Sequence, residues 1–409
     1  MNHLLRRRSQ GVPMYAHAVV LLALLIPSTL IFDIPAGNAS SNECLGQQAT
    51  IVGTEGDDEL RGTSGPDVIV GLGGDDAVLG RGGRDVICGG TGKDMLKGGG
   101  GADRLLGEDA ADRLHGGEGN DRLVGGDGRD AIDGNEGNDV INTGEGHDRA
   151  AAGPGRDQLF GGRGNDRLWG DRLGLGLQED WSDDCLPDIL KGGRGNDFMF
   201  SGCYDRASPS PPQSTDHDTL SGGRGRDSLV LATGTGTVRG GPGNDQLGLV
   251  LAEGSLDGGA GIDSFQYGLE DWFADPSVDV NLTAGTAVGT GGSLTLQATL
   301  SELEVVWGSS YGDDTLIGDT NANVLHGLGG ADRIEGRGGD DVLLGDEPSP
   351  FPPGNDVLLG NGGDDELFGF EGDDELDGGQ GSNANDGGPG IDLCVNPDTV
   401  GGAVNCESP

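Results

Sequence analysis

The chain has 409 residues, with 69 acidic side chains against 25 lysines and arginines, for a formal net charge of −44. Glycine accounts for 85 residues and aromatics for only 4%, so the chain lacks the apolar surface of an ordinary globular core. The charge opposes compaction and excludes a nucleic-acid binder, which needs basic patches.

Residues 1–39 read as a secretory signal. Arg6-Arg7-Arg8 is the basic region, Ala18 to Ile26 the apolar one, and Gly37-Asn38-Ala39 a small-residue cleavage site. An uncleaved anchor is the alternative, but Pro27 and Pro35 break the apolar stretch well short of the roughly 20 residues a span requires. Cleavage removes three arginines and one aspartate, a net +2, which takes −44 to −46. Residues 44–52 form a degenerate nine-residue unit, with Cys44 first and Ile51 eighth, and read as a cap over the open end of the repeats that begin at Gly53.

From Gly53 to Trp169 a nine-residue unit repeats thirteen times without a gap, most clearly as Gly116-Gly117-Glu118-Gly119-Asn120-Asp121-Arg122-Leu123-Val124. Position 6 is always aspartate: Asp58, Asp67, Asp76, Asp85, Asp94, Asp103, Asp112, Asp121, Asp130, Asp139, Asp148, Asp157 and Asp166. Position 8 is always apolar, from Leu60 to Leu168, and position 4 is glycine in all but one copy, Ala110. Glycine reaches φ > 0 without steric cost, so positions 1 to 6 fold as a sharp turn with carbonyls directed inward. Asp and backbone oxygens are what a hard divalent cation such as calcium prefers. Positions 7 to 9 make a short strand with one inward apolar side chain. Turn, strand, turn, strand closes a coil of eighteen residues, and every second unit stacks about 4.8 Å from its equivalent. A disordered glycine–aspartate tract would explain the composition, but not apolar residues locked to position 8.

The pattern matches G-G-x-G-x-D-x-U-x, so the chain resembles the repeat-in-toxin (RTX), or haemolysin-type, calcium-binding family. That resemblance covers most of residues 53 to 395. It implies an all-β parallel β-roll, a right-handed β-solenoid of nonapeptides with multiple Ca2+ ions in the turns. By that geometry the chain would hold on the order of fifteen to twenty ions.

After Trp169 the phase breaks. Residues 170–182 are an insertion, and units resume with Asp188 and Asp197. A second insertion, 201–212, precedes the unit carrying Asp218. From 222 to 266 Asp227, Asp245 and Asp263 alternate with Gly236 and Gly254 at position 6, while Val238 and Leu256 hold position 8. One edge of this stretch should therefore carry calcium and the other should close by apolar packing. Residues 44–266 thus form a first roll. Residues 267–308 are strand-rich but outside the repeat and resemble the strands that precede the roll in secreted RTX proteases. Residues 309–395 are a second roll, with Asp314, Asn323, Asp332, Asp341, Asp356, Asp365, Asp374, Asn383 and Asp392 at position 6 and an insertion from Glu347 to Pro352. Residues 396–409 are a tail without repeat.

The six cysteines, in a signal-bearing chain, read as three disulfides. Cys44 with Cys88 would tie down the first cap and Cys394 with Cys406 the second. Cys185 and Cys203 are eighteen residues apart, one coil, and should bridge on one edge. Composition alone leaves all fifteen pairings open.

No constellation for catalysis emerges. Of the six histidines, His3 and His17 lie in the signal, His115, His147 and His326 occupy variable repeat positions, and none, His217 included, sits in a zinc-protease motif. Acid pairs such as Asp75-Asp76 recur with the repeat, so the turn explains them. Trp169, Trp181, Trp272 and Trp307 sit at insertions or block ends, where packing under loops outweighs sugar stacking. The expected protein is secreted, calcium-binding and without catalytic activity, acting as a structural or adhesive extracellular module. It should have no nucleic-acid partner and no membrane span in the mature chain. The alternatives are a calcium-stabilised hydrolase with its site in 267–308 or the insertions, and a toxin-associated protein whose partner binds the insertions.

Overall fold

The computed structural model describes residues 42–171, 186–202, 217–267, 277–291, 294–347, 352–396 and 403–406. The signal, most of the two long insertions and the Cys185 and Cys203 pairing lie outside these residues. Every regular element among them is a β-strand.

The stacking follows the eighteen-residue coil. Arg113, Leu114 and His115 lie between Met95, Leu96 and Lys97 on one side and Ala131, Ile132 and Asp133 on the other, all in parallel register. The intervening units make the opposite face, where Leu105, Leu123 and Ile141 form the equivalent row. Alternate units thus build two parallel ladders back to back. Position 8 points between them, and Leu96, Leu105, Leu114, Leu123, Ile132 and Ile141 are each fully buried. Each such side chain contributes about 1.5–3 kcal/mol. One per nine glycine-rich residues is a thin core, which leaves the turns to supply the rest.

Between the two blocks the faces differ. On one, Ser264–Tyr267, Val305–Trp307 and Val324–Leu328 follow each other in parallel as the repeat does. On the other, Gly254 to Asp257 pairs in parallel with Ala298 to Ser301 of the strand Leu294–Ser301. That strand runs antiparallel to Thr286–Gly291, which runs antiparallel to Ser277–Asn281, and this last strand returns to parallel pairing with Thr315–Ile317. Three strands stand where the repeat has one. Hydrogen bonding is continuous through them, so residues 277–307 join the two repeat blocks in one ladder system. Tyr267 fills the core at this change, its ring edge-on to Phe265 and its hydroxyl donating to the Ala252 carbonyl at 3.0 Å.

Both ends are covered. Glu43–Cys44 folds back on Gln47–Gln48, and the Cys44–Cys88 disulfide, with Cα atoms 5.9 Å apart, ties this hairpin to the coils beneath. Ile51–Val52 already pairs in parallel with Ile69–Val70, so the degenerate first unit is a rung of the ladder. At the other end Ala403–Val404 adds a rung beside Asn385–Asp386, held by Cys394–Cys406.

Candidate metal centres in the turns

Each position-6 aspartate precedes its strand and is held by the coil before it. Oδ1 of Asp112 accepts the backbone N–H of Asp94 at 2.8 Å, and Asp130 does the same for Asp112. This relay brings Asp58, Asp76, Asp94, Asp112, Asp130, Asp148, Asp166, Asp197, Asp227, Asp245 and Asp263 into one edge row. It brings Asp67, Asp85, Asp103, Asp121, Asp139, Asp157, Asp188 and Asp218 into the other. Past the joint, Asp314, Asp332, Asp356, Asp374 and Asp392 form one row, and Asn323, Asp341, Asp365 and Asn383 the second.

The other carboxylate oxygen carries the chemistry. Oδ2 is buried without a hydrogen-bond partner at Asp76, Asp85, Asp94, Asp103, Asp112, Asp121, Asp130, Asp139, Asp148, Asp157, Asp166, Asp188, Asp197, Asp227, Asp245 and Asp263, and again at Asp332, Asp341, Asp356, Asp365 and Asp374. Where the turn opens on a glycine the atom faces it, whereas Thr143 and Ala152 take that place in the turns of Asp148 and Asp157. A methyl group on Gly107 would collide with Asp112 Oδ2 and stand 2.6 Å from the carbonyl oxygen of Gly125, one coil on. Carboxylate and carbonyl oxygens of successive coils therefore converge on one small space. Burial pushes Asp112 and Asp139 up to about 8, Asp356 to about 8 and Asp332 to about 9, with neighbouring carboxylates adding to the shift. An ionised carboxylate buried without a partner is costly. An oxygen-only donor set around such a group fits calcium. Among the described residues no three His, Cys, Asp or Glu side chains converge, so an ion held there would take backbone carbonyls as further ligands.

Not every turn is open in this way. Asp58 Oδ2 accepts the N–H of Thr54 at 2.6 Å and its hydroxyl at 2.9 Å, and Thr63 does the same for Asp67. Asp314 is closed by the N–H and hydroxyl of Ser309 and by the N–H of Val278. Asp319 N–H donates to Asn323 Oδ1. The first turns of both blocks are thus satisfied from within.

Two further departures concern residues outside the repeat count. At the alternating stretch, the strands Ser228–Pro242 and Gln246–Ala260 run unbroken through the turn and pair along their length. Leu231 and Leu249 are fully buried there, and the Leu231 side chain lies 2.8 Å from where a methyl group on Gly236 would stand, in the space that a carboxylate takes elsewhere. At the joint, Glu304 takes the place of an aspartate: its Oε2 accepts the N–H of Asp263 at 2.8 Å. It stands two residues before the buried Val306, as the repeat's aspartate stands before position 8, but as a glutamate in a non-repeat segment it was missed. Asp171 and Asp346, buried at the second position of turns that carry insertions, were also missed.

The sequence model of one family, the RTX calcium-binding nonapeptide repeat (4 copies), matches residues 52–87, 89–123, 115–150, 142–172, 187–202, 214–247, 309–343 and 353–384, more than half of the chain. The chain belongs to the RTX repeat family. It is accordingly a calcium-binding β-roll protein. A search of curated proteins found no match. No helix among the described residues is long and apolar enough to cross a membrane.

Proposed function

We propose that this RTX chain is a secreted structural or adhesive module that folds outside the cell on binding calcium, with the Asp Oδ2 atoms as its ligands and no catalytic site of its own. The observation that carries the reading is the double row of buried Oδ2 atoms without partners, from Asp76 to Asp263 on one edge and from Asp85 to Asp188 on the other. A polypeptide of net charge −44 cannot hold these groups ionised and buried unless cations neutralise them. Extracellular calcium modules bind at roughly 10⁻⁴ to 10⁻³ M, a range that cytosol does not supply and the outside does. The Cys44–Cys88 and Cys394–Cys406 disulfides fit an oxidising compartment. His115, at a repeat position, pairs with Asp133 of the next coil at 3.1 Å, which supports a structural use of that side chain. Calcium titration of the chelated chain, followed by far-UV circular dichroism, tests the reading. A β spectrum that appears with millimolar calcium supports it, and a full β spectrum in excess chelator overturns it.

A further inference from the structure

One edge of the first block carries a ladder of charges that the calcium cages do not use. The third residues of the turns that end at Asp112, Asp130, Asp148, Asp166, Asp197 and Asp227 are Asp109, Asp127, Glu145, Arg163, Arg194 and Arg224. Each pairs in parallel register with the next, so they stack one rung apart, about 4.8 Å. All six are exposed. Three acids are thus followed by three arginines, with the neutral Thr91 and Pro242 on the rungs beyond. Where the sign changes, Arg163 Nη1 donates to Glu145 Oε1 at 2.6 Å. Among the described residues Asp109, Asp127, Arg194 and Arg224 have no side-chain hydrogen bond or ion pair. Like charges directly opposite each other in a sheet are destabilising, so each half stands to gain from an opposite charge outside the coil. The same ladder on the opposite edge runs Gly82, Gly100, Glu118 and Glu136, neutral to acidic. That edge also takes both long insertions, which interrupt the turns ending at Asp188 and Asp218. The fifth residues of the charged turns show no division by sign, with Arg129 in the acidic half.

We propose that this edge is a docking surface for a second copy of the chain, laid antiparallel. A twofold axis perpendicular to the stack, between the Glu145 and Arg163 rungs, sets Asp109 opposite the partner's Arg224, Asp127 opposite the partner's Arg194 and Glu145 opposite the partner's Arg163. Such an isologous contact requires a surface that is its own complement, and three acids followed by three arginines are that. Laid parallel in register, the same edges set like charge on like. The strip is about 24 Å long and about 10 Å wide, well short of the roughly 800 Å² per partner of a stable complex. The pair is therefore weak and sensitive to salt. Calcium in the cages beneath offsets the net charge of −44 that keeps two copies apart, so the inference rests on the calcium reading for the state in which the chain pairs.

The test is sedimentation equilibrium of the calcium-loaded full chain at about 50 mM and about 0.5 M salt, the latter bringing the Debye length to about 4 Å, less than one rung. Arg194→Glu with Arg224→Glu turns the basic half acidic, and Asp109→Arg with Asp127→Arg turns the acidic half basic. All four are exposed turn residues outside the cages, and circular dichroism and bound calcium check that each variant folds. The expected result is a wild-type dimer at low salt whose dissociation constant rises about tenfold or more at high salt. Each double variant alone should be monomeric, and mixing the two should restore a dimer. A folded, calcium-loaded wild type that is monomeric at low salt overturns the dimer alone, as do variants that dimerise like wild type or a mixture that stays monomeric. A monomer that instead binds heparin, and loses it with Arg194→Glu and Arg224→Glu, gives the arginines to a foreign polyanion and overturns the dimer too. A chain that takes up no calcium overturns the calcium reading and this surface with it.

Discussion

The backbone N–H of Thr54 donates to Oδ2 of Asp58 at 2.6 Å, whereas Oδ2 of Asp112, at the same repeat position on the same edge, has no hydrogen-bond partner. The difference lies at the second turn residue. Thr54 has φ outside the left-handed region and its N–H turns into the carboxylate; its counterpart in the Asp112 turn, Glu108, has φ of 79°. Identical aspartates in one row are thus not equivalent. Asp58→Ala should leave the calcium count unchanged and cost about 1 kcal/mol for the lost turn bonds. Asp112→Ala should lower the count by one or two ions. Metal analysis after equilibrium dialysis at millimolar calcium separates the two, and equal losses would sink the distinction.

Acid should substitute for calcium in part. Burial raises Asp112 and Asp139 to about 8, Asp130 and Asp157 to about 7, and Asp332 to about 9, from an ordinary value of 3.8. The folded, metal-free chain therefore binds more protons than the unfolded one. Its stability is fullest below about 3.8, and it is lost as pH rises through about 6 to 9. In excess chelator, β content should increase as pH falls from 9 toward 5, while calcium affinity, measured separately, should fall over the same window. A β signal flat with pH in chelator would contradict the burial of these groups.

Gly107 has no room for a side chain. Gly107→Ala places a methyl group against Asp112 Oδ2 and 2.6 Å from the Gly125 carbonyl, inside the cage itself. Overpacking of this kind costs about 1–3 kcal/mol. The calcium-loaded variant should melt several degrees lower and hold fewer ions. Gly100→Ala, where the nearest atom to the new methyl is 3.9 Å away, should do neither. Differential scanning calorimetry at saturating calcium reads the first effect and dialysis the second.

How much of this was visible in the residues differs from feature to feature. The period of nine and the apolar eighth position determine the two-faced stack, because Leu96, Leu114 and Ile132 can share a row only if alternate units lie on the same face. The aspartate rows follow from the same arithmetic. The open and closed turns do not, since the sign of φ at Thr54 against Glu108 depends on one residue whose consequence appears only when its N–H is placed. Nor does the joint. The strand Ser277–Asn281 alternates visibly, but its partners are the antiparallel Thr286–Gly291 and the distant Thr315–Ile317, a choice set by closure of the ladder rather than by local pattern. Glu304 was hidden because its longer side chain does the work of an aspartate at the end of a non-repeat segment.

The alternating stretch gives the last prediction. Asp227, Asp245 and Asp263 continue one row, the N–H of Asp227 donating to Asp245 and that of Asp245 to Asp263. On the opposite edge Gly236 and Gly254 replace the aspartates, and Leu231 and Leu249 are fully buried in the turn. A methyl group on Gly236 would stand 2.8 Å from the Leu231 side chain and 2.8 Å from the Asp218 carbonyl. Asp245→Ala should therefore weaken the two ions on either side of it, because its carboxylate belongs to the relay above and below. Gly236→Asp should add no ion and should destabilise by about 1–3 kcal/mol, since the new side chain meets leucine rather than an open cage. Gly236→Asp combined with Leu231→Gly removes the obstruction, yet Gly254 still brings no carboxylate, so the calcium count should stay at the wild-type value. A crystal grown at millimolar calcium with density for an ion between Gly236 and Gly254 would show that carbonyls alone suffice on this edge.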